Sequence, residues 1–146
     1  MRAVVQRVSR AAVSVNGTRI SEIGHGMLVL LAAAREDGPE QIRWMADKLI
    51  GLRIFPDDAE KLNLSLTQVG GSMLIVSQFT LYGDCRKGRR PSYAAAAPPQ
   101  EAEGIYKSFI ETVRSQGIRV QEGVFGAMME VELLNDGPVT LIVDTP

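Results

Sequence analysis

The sequence predicts an α+β fold, with a largely antiparallel, curved or barrel-like sheet and two main helices in a single domain. Three observations lead there. Short apolar runs with period-two alternation recur along the chain, as strands require. Only two stretches, opening at Pro39 and Pro99, keep apolar residues at helical spacing. The links between runs are short and hairpin-like, whereas a doubly wound parallel sheet needs a helix after nearly every strand. A length of 146 residues suits one sizeable core, so residues 1–146 are read as one domain.

The elements follow in order. Arg2 to Val8 and Ala11 to Val15 are valine-rich strands, and Asn16-Gly17 is a strong hairpin signal that sends the chain back through Thr18 to Ile23. Gly24-His25-Gly26 turns into the apolar run Met27 to Ala34. Asp37-Gly38-Pro39-Glu40 starts a helix, with proline in the first turn and acids where the helix dipole favours them. Ile42, Met45, Ala46, Leu49 and Ile50 form its apolar face, and it stops near Gly51. Leu52 to Phe55 is a short strand ended by Pro56, and Leu62, Leu64 and Leu66 alternate over too few residues to separate strand from helical turn. After Gly70-Gly71, Met73 to Val76 is an interior strand. Ala94 to Pro99 is a linker of small residues. The second helix opens at Pro99-Gln100-Glu101, buries Ala102, Ile105, Tyr106, Phe109 and Val113, and ends at Gly117. Ile118 to Gln121 is a short strand. Met129, Val131 and Leu133 alternate with glutamates, Asn135-Asp136-Gly137-Pro138 is a turn, and Val139 to Val143 is the last strand.

Composition narrows the chemistry. Hydrophobic residues make up 45% and charged residues 23%, with a net charge of -1, as in ordinary globular domains, and no apolar run approaches the roughly 18 residues of a membrane span. No secretory signal precedes the first strand, so a cytoplasmic location is expected. One cysteine, Cys85, cannot form an internal disulfide; it is read as a solvated loop residue or a reactive thiol. The single histidine, His25, sits between two glycines, a poor mount for a general base. One histidine and one cysteine do not make a zinc site, so no metal and no cofactor are expected. Neither a phosphate loop nor a dinucleotide fingerprint is present.

What remains is the polar end of the central strand. Ser77, Gln78 and Thr80 interleave with Phe79 and Leu81, and either satisfy buried backbone groups or hold a ligand at fixed geometry. Backbone N–H groups near Phe79 and Thr80 are candidate oxyanion donors, with Ser77 or Thr80 as nucleophile the lesser alternative. Four cations then follow within five residues, Arg86, Lys87, Arg89 and Arg90, either a solvated face or a phosphate-binding one.

Ser77-Gln78-Phe79-Thr80-Leu81 and Asn135-Asp136-Gly137-Pro138-Val139-Thr140 together resemble the two signature motifs of the D-aminoacyl-tRNA deacylases, the D-tyrosyl-tRNA deacylase family. Gly51-Leu52-Arg53-Ile54-Phe55, Arg90-Pro91-Ser92 and Phe125-Gly126-Ala127 are further landmarks in the family's order. One departure is Ala32-Ala33-Ala34, where a glycine is common. The resemblance implies a homodimeric, metal-independent hydrolase of the ester between a D-amino acid and the terminal ribose of tRNA, with glycyl-tRNA as a further substrate. It implies that Ser77, Gln78, Phe79 and Thr80 form the catalytic pocket, with water activated by the ribose 2′-hydroxyl. It also implies a cis Gly137-Pro138 bond that enters the partner's pocket and excludes L side chains, and that Arg86, Lys87, Arg89 and Arg90 steer the tRNA. Two rivals are a related editing enzyme with a trans Gly-Pro bond, acting on a mischarged L-aminoacyl-tRNA, and a non-catalytic RNA-binding module.

Overall fold

The computed structural model describes residues 1–146. Its spine is β1, Arg2–Val15, a single 14-residue strand where the sequence suggested two. Ser9 and Arg10 break the apolar alternation without breaking the strand, because both are exposed and a partner strand runs along their edge. One edge of β1 is shared. Its first half pairs antiparallel with β3, Gly26–Ala32, and its second half with β2, Thr18–Ile23. Asn16 and Gly17, both at positive φ, make the tight turn between β1 and β2.

From β3 the chain crosses through α1, Pro39–Gly51, to β6, Ser72–Ser77, which lies parallel to β3. It crosses again through α2, Pro99–Ser115, to β7, Arg119–Glu122, parallel to β6. The sheet is therefore mixed, antiparallel around β1 and parallel where the two helices supply crossovers. Between the crossovers, β4, Phe55–Pro56, and β5, Leu62–Leu64, form a small antiparallel ribbon. This settles Leu62 and Leu64 as strand and trims the expected Leu52–Phe55 strand to its end. Gly117, at φ +83, follows α2 in the left-handed conformation expected of a helix stop.

The last strand, β8, Glu130–Asp144, corrects the expected turn at Asn135–Pro138. Both of its legs run antiparallel to β1, Glu130–Asn135 against Val8–Ser14 and Thr140–Asp144 against Arg2–Gln6. Asp136–Val139 is an excursion opposite Arg7 rather than a reversal. Turn-forming residues bend the chain in either case; the partner strand decides whether it returns.

The core divides by sheet face. Met27, Val29, Leu31, Met73 and Ile75 meet Met45, Leu49, Phe109 and Ile110 from the helices. Alternate residues Leu28, Leu74 and Val76 face a second cluster with Val8, Val13 and Ile23 inside the curved sheet. Strands buried on both faces read as unbroken apolar runs, as these do. The result is a barrel-like sheet with two helices on one side. No helix is long and apolar enough to cross a membrane.

Candidate active site

At the C-terminal end of β6 the parallel ladder continues one step past the strand, where the Gln78 N–H donates to Leu31 O at 2.8 Å. The chain then winds into a single 3-10 turn, Phe79–Tyr82. The first N–H groups of such a turn have no acceptor within it, and those of Phe79 and Thr80 find none elsewhere in the chain. The Gln78 amide donates to the Thr80 hydroxyl.

This segment floors a cleft of about 760 Å³ in which Ser77, Gln78, Phe79 and Thr80 all take part. Sixteen of the 22 lining residues are hydrophobic, so the few polar groups decide what can be oriented there. Ala32 and Ala33, the departure noted in the sequence, form one wall with Ala96 and Ala97. The two alanine segments are tied by Ala97 N–H to Ala33 O at 2.9 Å. The stretch read as a linker is thus a structural wall. Helix α2 adds Tyr106, whose hydroxyl donates to Ile75 O at 2.8 Å. Burial pushes that phenol well above its ordinary pKa. Phe125 to Met129 also line the cleft, the Phe125 ring 5.9 Å from that of Tyr106, with Met128 almost wholly exposed at 90%. Phe79 and Tyr93 meet edge to face at 5.1 Å between ring centroids, both partly exposed.

The lining contains no carboxylate, histidine, lysine or arginine; its titratable groups are the phenols of Tyr93 and Tyr106. His25 lies elsewhere, its ring edge-on to Phe55. Cys85 is exposed and outside the lining. A reaction in this cleft has backbone amides, hydroxyls and a carboxamide to work with, but no carboxylate, imidazole or amine side chain.

The basic segment projects beside the cleft. Asp84 and Ser92 exchange backbone hydrogen bonds, 2.8 Å from Asp84 N–H and 3.0 Å from Ser92 N–H, and so close the loop that carries all four cations. Arg86 folds back onto Asp84 with contacts of 2.9 and 2.6 Å, which holds the Asp84 carboxyl below its usual range. Lys87, Arg89 and Arg90 are exposed.

Gly137 and Pro138 are exposed on β8 and do not line this chain's cleft. Their peptide bond is trans, as are all others, which corrects the expected cis bond. The trans form of an X-Pro bond is favoured by about 0.5–1 kcal/mol, and an exposed proline in a single chain meets no packing that would reverse this. The excursion rests on Arg7, a buried cation the sequence reading missed. Its guanidinium donates to Asp136 O at 3.2 Å and Ile54 O at 2.5 Å, and pairs with the Asp136 carboxylate at 3.2 Å. Asn135 completes the support by donating to Arg7 O at 2.9 Å and Val139 O at 3.0 Å.

The family model described as D-Tyr-tRNA(Tyr) deacylase matches residues 4–144. The chain belongs to that family. A D-aminoacyl-tRNA deacylase of Desulfatibacillum aliphaticivorans is 59% identical over 145 residues, covering 99% of each chain. One from Syntrophobacter fumaroxidans is 54% identical, covering 99% of this chain and 97% of its own. Among solved structures, one titled c-Myc DNA Unwinding Element Binding Protein superposes with a TM-score of 0.94 at 43% identity, covering 100% of this chain and 99% of that one. Within the deacylase family, then, the segment from Ser77 to Thr80 occupies a cleft without carboxylate, histidine, lysine or arginine, and the segment around Gly137 stands apart from it.

Proposed function

We propose that this chain hydrolyses the ester bond of D-aminoacyl-tRNA, and of glycyl-tRNA, releasing the amino acid and the tRNA. The observation that carries this reading is the pair of unpartnered N–H groups at Phe79 and Thr80, at the start of a turn that floors an apolar cleft. Preorganised amides of this kind stabilise the oxyanion of acyl transfer. The scissile carbonyl sits against these two donors, Ser77 and Gln78 orient the ester, and Phe79 packs on the terminal nucleoside. Water is the attacking group. With no side-chain base in the cleft, the neighbouring ribose 2′-hydroxyl is the group available to take part in its activation. Thr80 is a hydrogen-bonding residue here, its hydroxyl accepting from Gln78, and a Thr80→Ala enzyme with near-normal turnover would rule out a covalent role.

The chain acts as a homodimer in the cytoplasm. A 15-residue strand, β8, pairs only along β1, leaving an edge of the sort that proteins cover. In the dimer Gly137 and Pro138 of one subunit border the cleft of the other and leave no room for an L side chain, a selection by exclusion that admits glycine. Lys87, Arg89 and Arg90, with Arg86, guide the acceptor end of the tRNA.

The trans Gly137-Pro138 bond favours a second reading, a family member that acts on a mischarged L-aminoacyl-tRNA. The deciding experiment is deacylation of matched D-tyrosyl-, L-tyrosyl- and glycyl-tRNA by the purified protein with a chelator present. Loss of the D and glycyl esters with the L ester spared is expected. Cleavage of the L ester supports the second reading, and tRNA binding with all three esters intact supports an RNA-binding module.

A further inference from the structure

The 3-10 turn Phe79–Tyr82 is fastened to the sheet at both ends. At its start the Gln78 N–H is bound by Leu31 O of β3. At its far end lies the guanidinium of Arg2. Nη1 donates to Leu81 O at 3.2 Å, and Cζ sits 5.4 Å from the centroid of the Tyr82 ring. The opposite edge of the same group, Nε and Nη2, donates to the two carboxylate oxygens of Asp144 at 2.7 and 3.2 Å. Arg2 is paired across the sheet with Asp144 on one side and with Ala32, a cleft residue, on the other.

This arrangement is a weak device for stability. The Arg2 and Asp144 side chains are 38% and 49% exposed, and exposed ion pairs contribute little because solvent screens them and ordering two long side chains opposes them. Geometry is what it supplies. The two contacts to one carboxylate set the plane of the guanidinium, the Tyr82 ring sets its height, and the remaining N–H is aimed at a carbonyl within the turn.

We propose that Arg2, held by Asp144 and Tyr82, is a positioning residue for ester hydrolysis: it pins the Leu81 carbonyl and so fixes the direction of the Phe79 and Thr80 N–H groups. This rests on the reading of those amides as oxyanion donors. A donor matters only where charge develops, so a small rotation of the turn leaves substrate binding nearly intact and slows the reaction. Misplacement by about 1 Å costs on the order of a hundredfold in rate.

Steady-state hydrolysis of D-tyrosyl-tRNA by the full chain and its variants tests this. Arg2→Ala should lower kcat by about tenfold to a hundredfold with KM within about twofold, and with the thermal midpoint nearly unchanged. Arg2→Lys keeps the charge but not the planar fork and should recover part of the loss. Asp144→Asn should fall between wild type and Arg2→Ala. Wild-type kcat in Arg2→Ala overturns the proposal, as does a loss confined to KM or to the thermal midpoint. Should Arg2→Ala not fold, an unchanged kcat in Asp144→Asn overturns it. An inert wild-type enzyme overturns the hydrolase reading itself, whereas an active wild type with an unaffected Arg2→Ala overturns only the role of Arg2.

Discussion

At Gly137 the absence of a side chain is what leaves room for Arg7. The backbone there has φ +104, and an added Cβ would lie 2.1 Å from Arg7 Nη2. Gly137→Ala therefore combines backbone strain with displacement of a buried cation from its acceptors. It should destabilise the protein by about 3 kcal/mol in urea unfolding. Gly17→Ala is the control, since Gly17 also has positive φ, +75, but nothing within 4 Å of the new Cβ; it should cost about 1 kcal/mol. A second residue-scale prediction concerns the phenols. Burial pushes Tyr82 up to about 12 and Tyr106 also upward. The folded protein thus holds these protons more tightly than the unfolded chain, whose tyrosines titrate near pH 10. Their contribution is fully present below about pH 10 and is lost as pH rises through that value toward the folded pKa. Thermal midpoints should fall between about pH 9.5 and about pH 11, and the Tyr82→Phe, Tyr106→Phe double variant should flatten that fall.

At the scale of elements, the turn Phe79–Tyr82 can be tested by removing a donor and not merely a side chain. Gln78, at φ -146 and ψ 72, lies outside the α region that a following proline disfavours, and proline suits the first position of a helical turn. Phe79→Pro should therefore fold and lose about a hundredfold to a thousandfold in kcat relative to Phe79→Ala, which keeps the N–H. Equal rates for the two would remove the Phe79 amide from the mechanism. The closed loop between Asp84 and Ser92 gives a different signal. With Arg86 tied to Asp84, neutralising Lys87, Arg89 and Arg90 together should reduce the slope of log binding constant against log salt by about two, at roughly 0.7 per single-stranded phosphate contact. Neutralising Arg86 alone should change it least, and an unaltered slope in the triple variant would detach the loop from tRNA binding.

The same elements explain what the sequence makes legible. Asn16-Gly17 and the face of α2 from Ala102 to Val113 are local signals, set by turn chemistry and helical period, and both appear as expected. The Ser77 to Thr80 segment stands out because polar groups at the end of a fully apolar strand need a reason to be there. Arg7 gives no such sign: alternating with Gln6 and Val8 it looks like an outward-facing charge, and only the long-range return of β8 buries it. The alanine wall is equally silent, since small residues permit close approach without specifying a partner. The single, continuous identity of β8 depends on β1 as its template, which no window of local sequence contains.

On the scale of the whole molecule, the separation of Gly137 and Pro138 from the cleft of their own chain makes the proposed dimer testable by complementation. Phe79→Pro impairs the cleft and leaves the β8 excursion intact. Pro138→Trp leaves the cleft intact and places a bulky ring where the excursion would border the partner's site. Each variant alone should be inactive on D-tyrosyl-tRNA. When the two are unfolded, mixed in equal amounts and refolded together, half of the dimers carry one of each chain. If the cleft of one subunit is completed by the excursion of the other, one of the two sites in each mixed dimer is wholly wild type, and the mixture should recover about a quarter of wild-type activity. If each site is built from one chain, the cleft of one partner and the excursion of the other remain defective in every dimer, and no activity returns. A mixture that stays inactive while sedimenting as a dimer would therefore place the Gly137-Pro138 segment outside the catalytic site of its partner, whatever its effect on stability through Arg7.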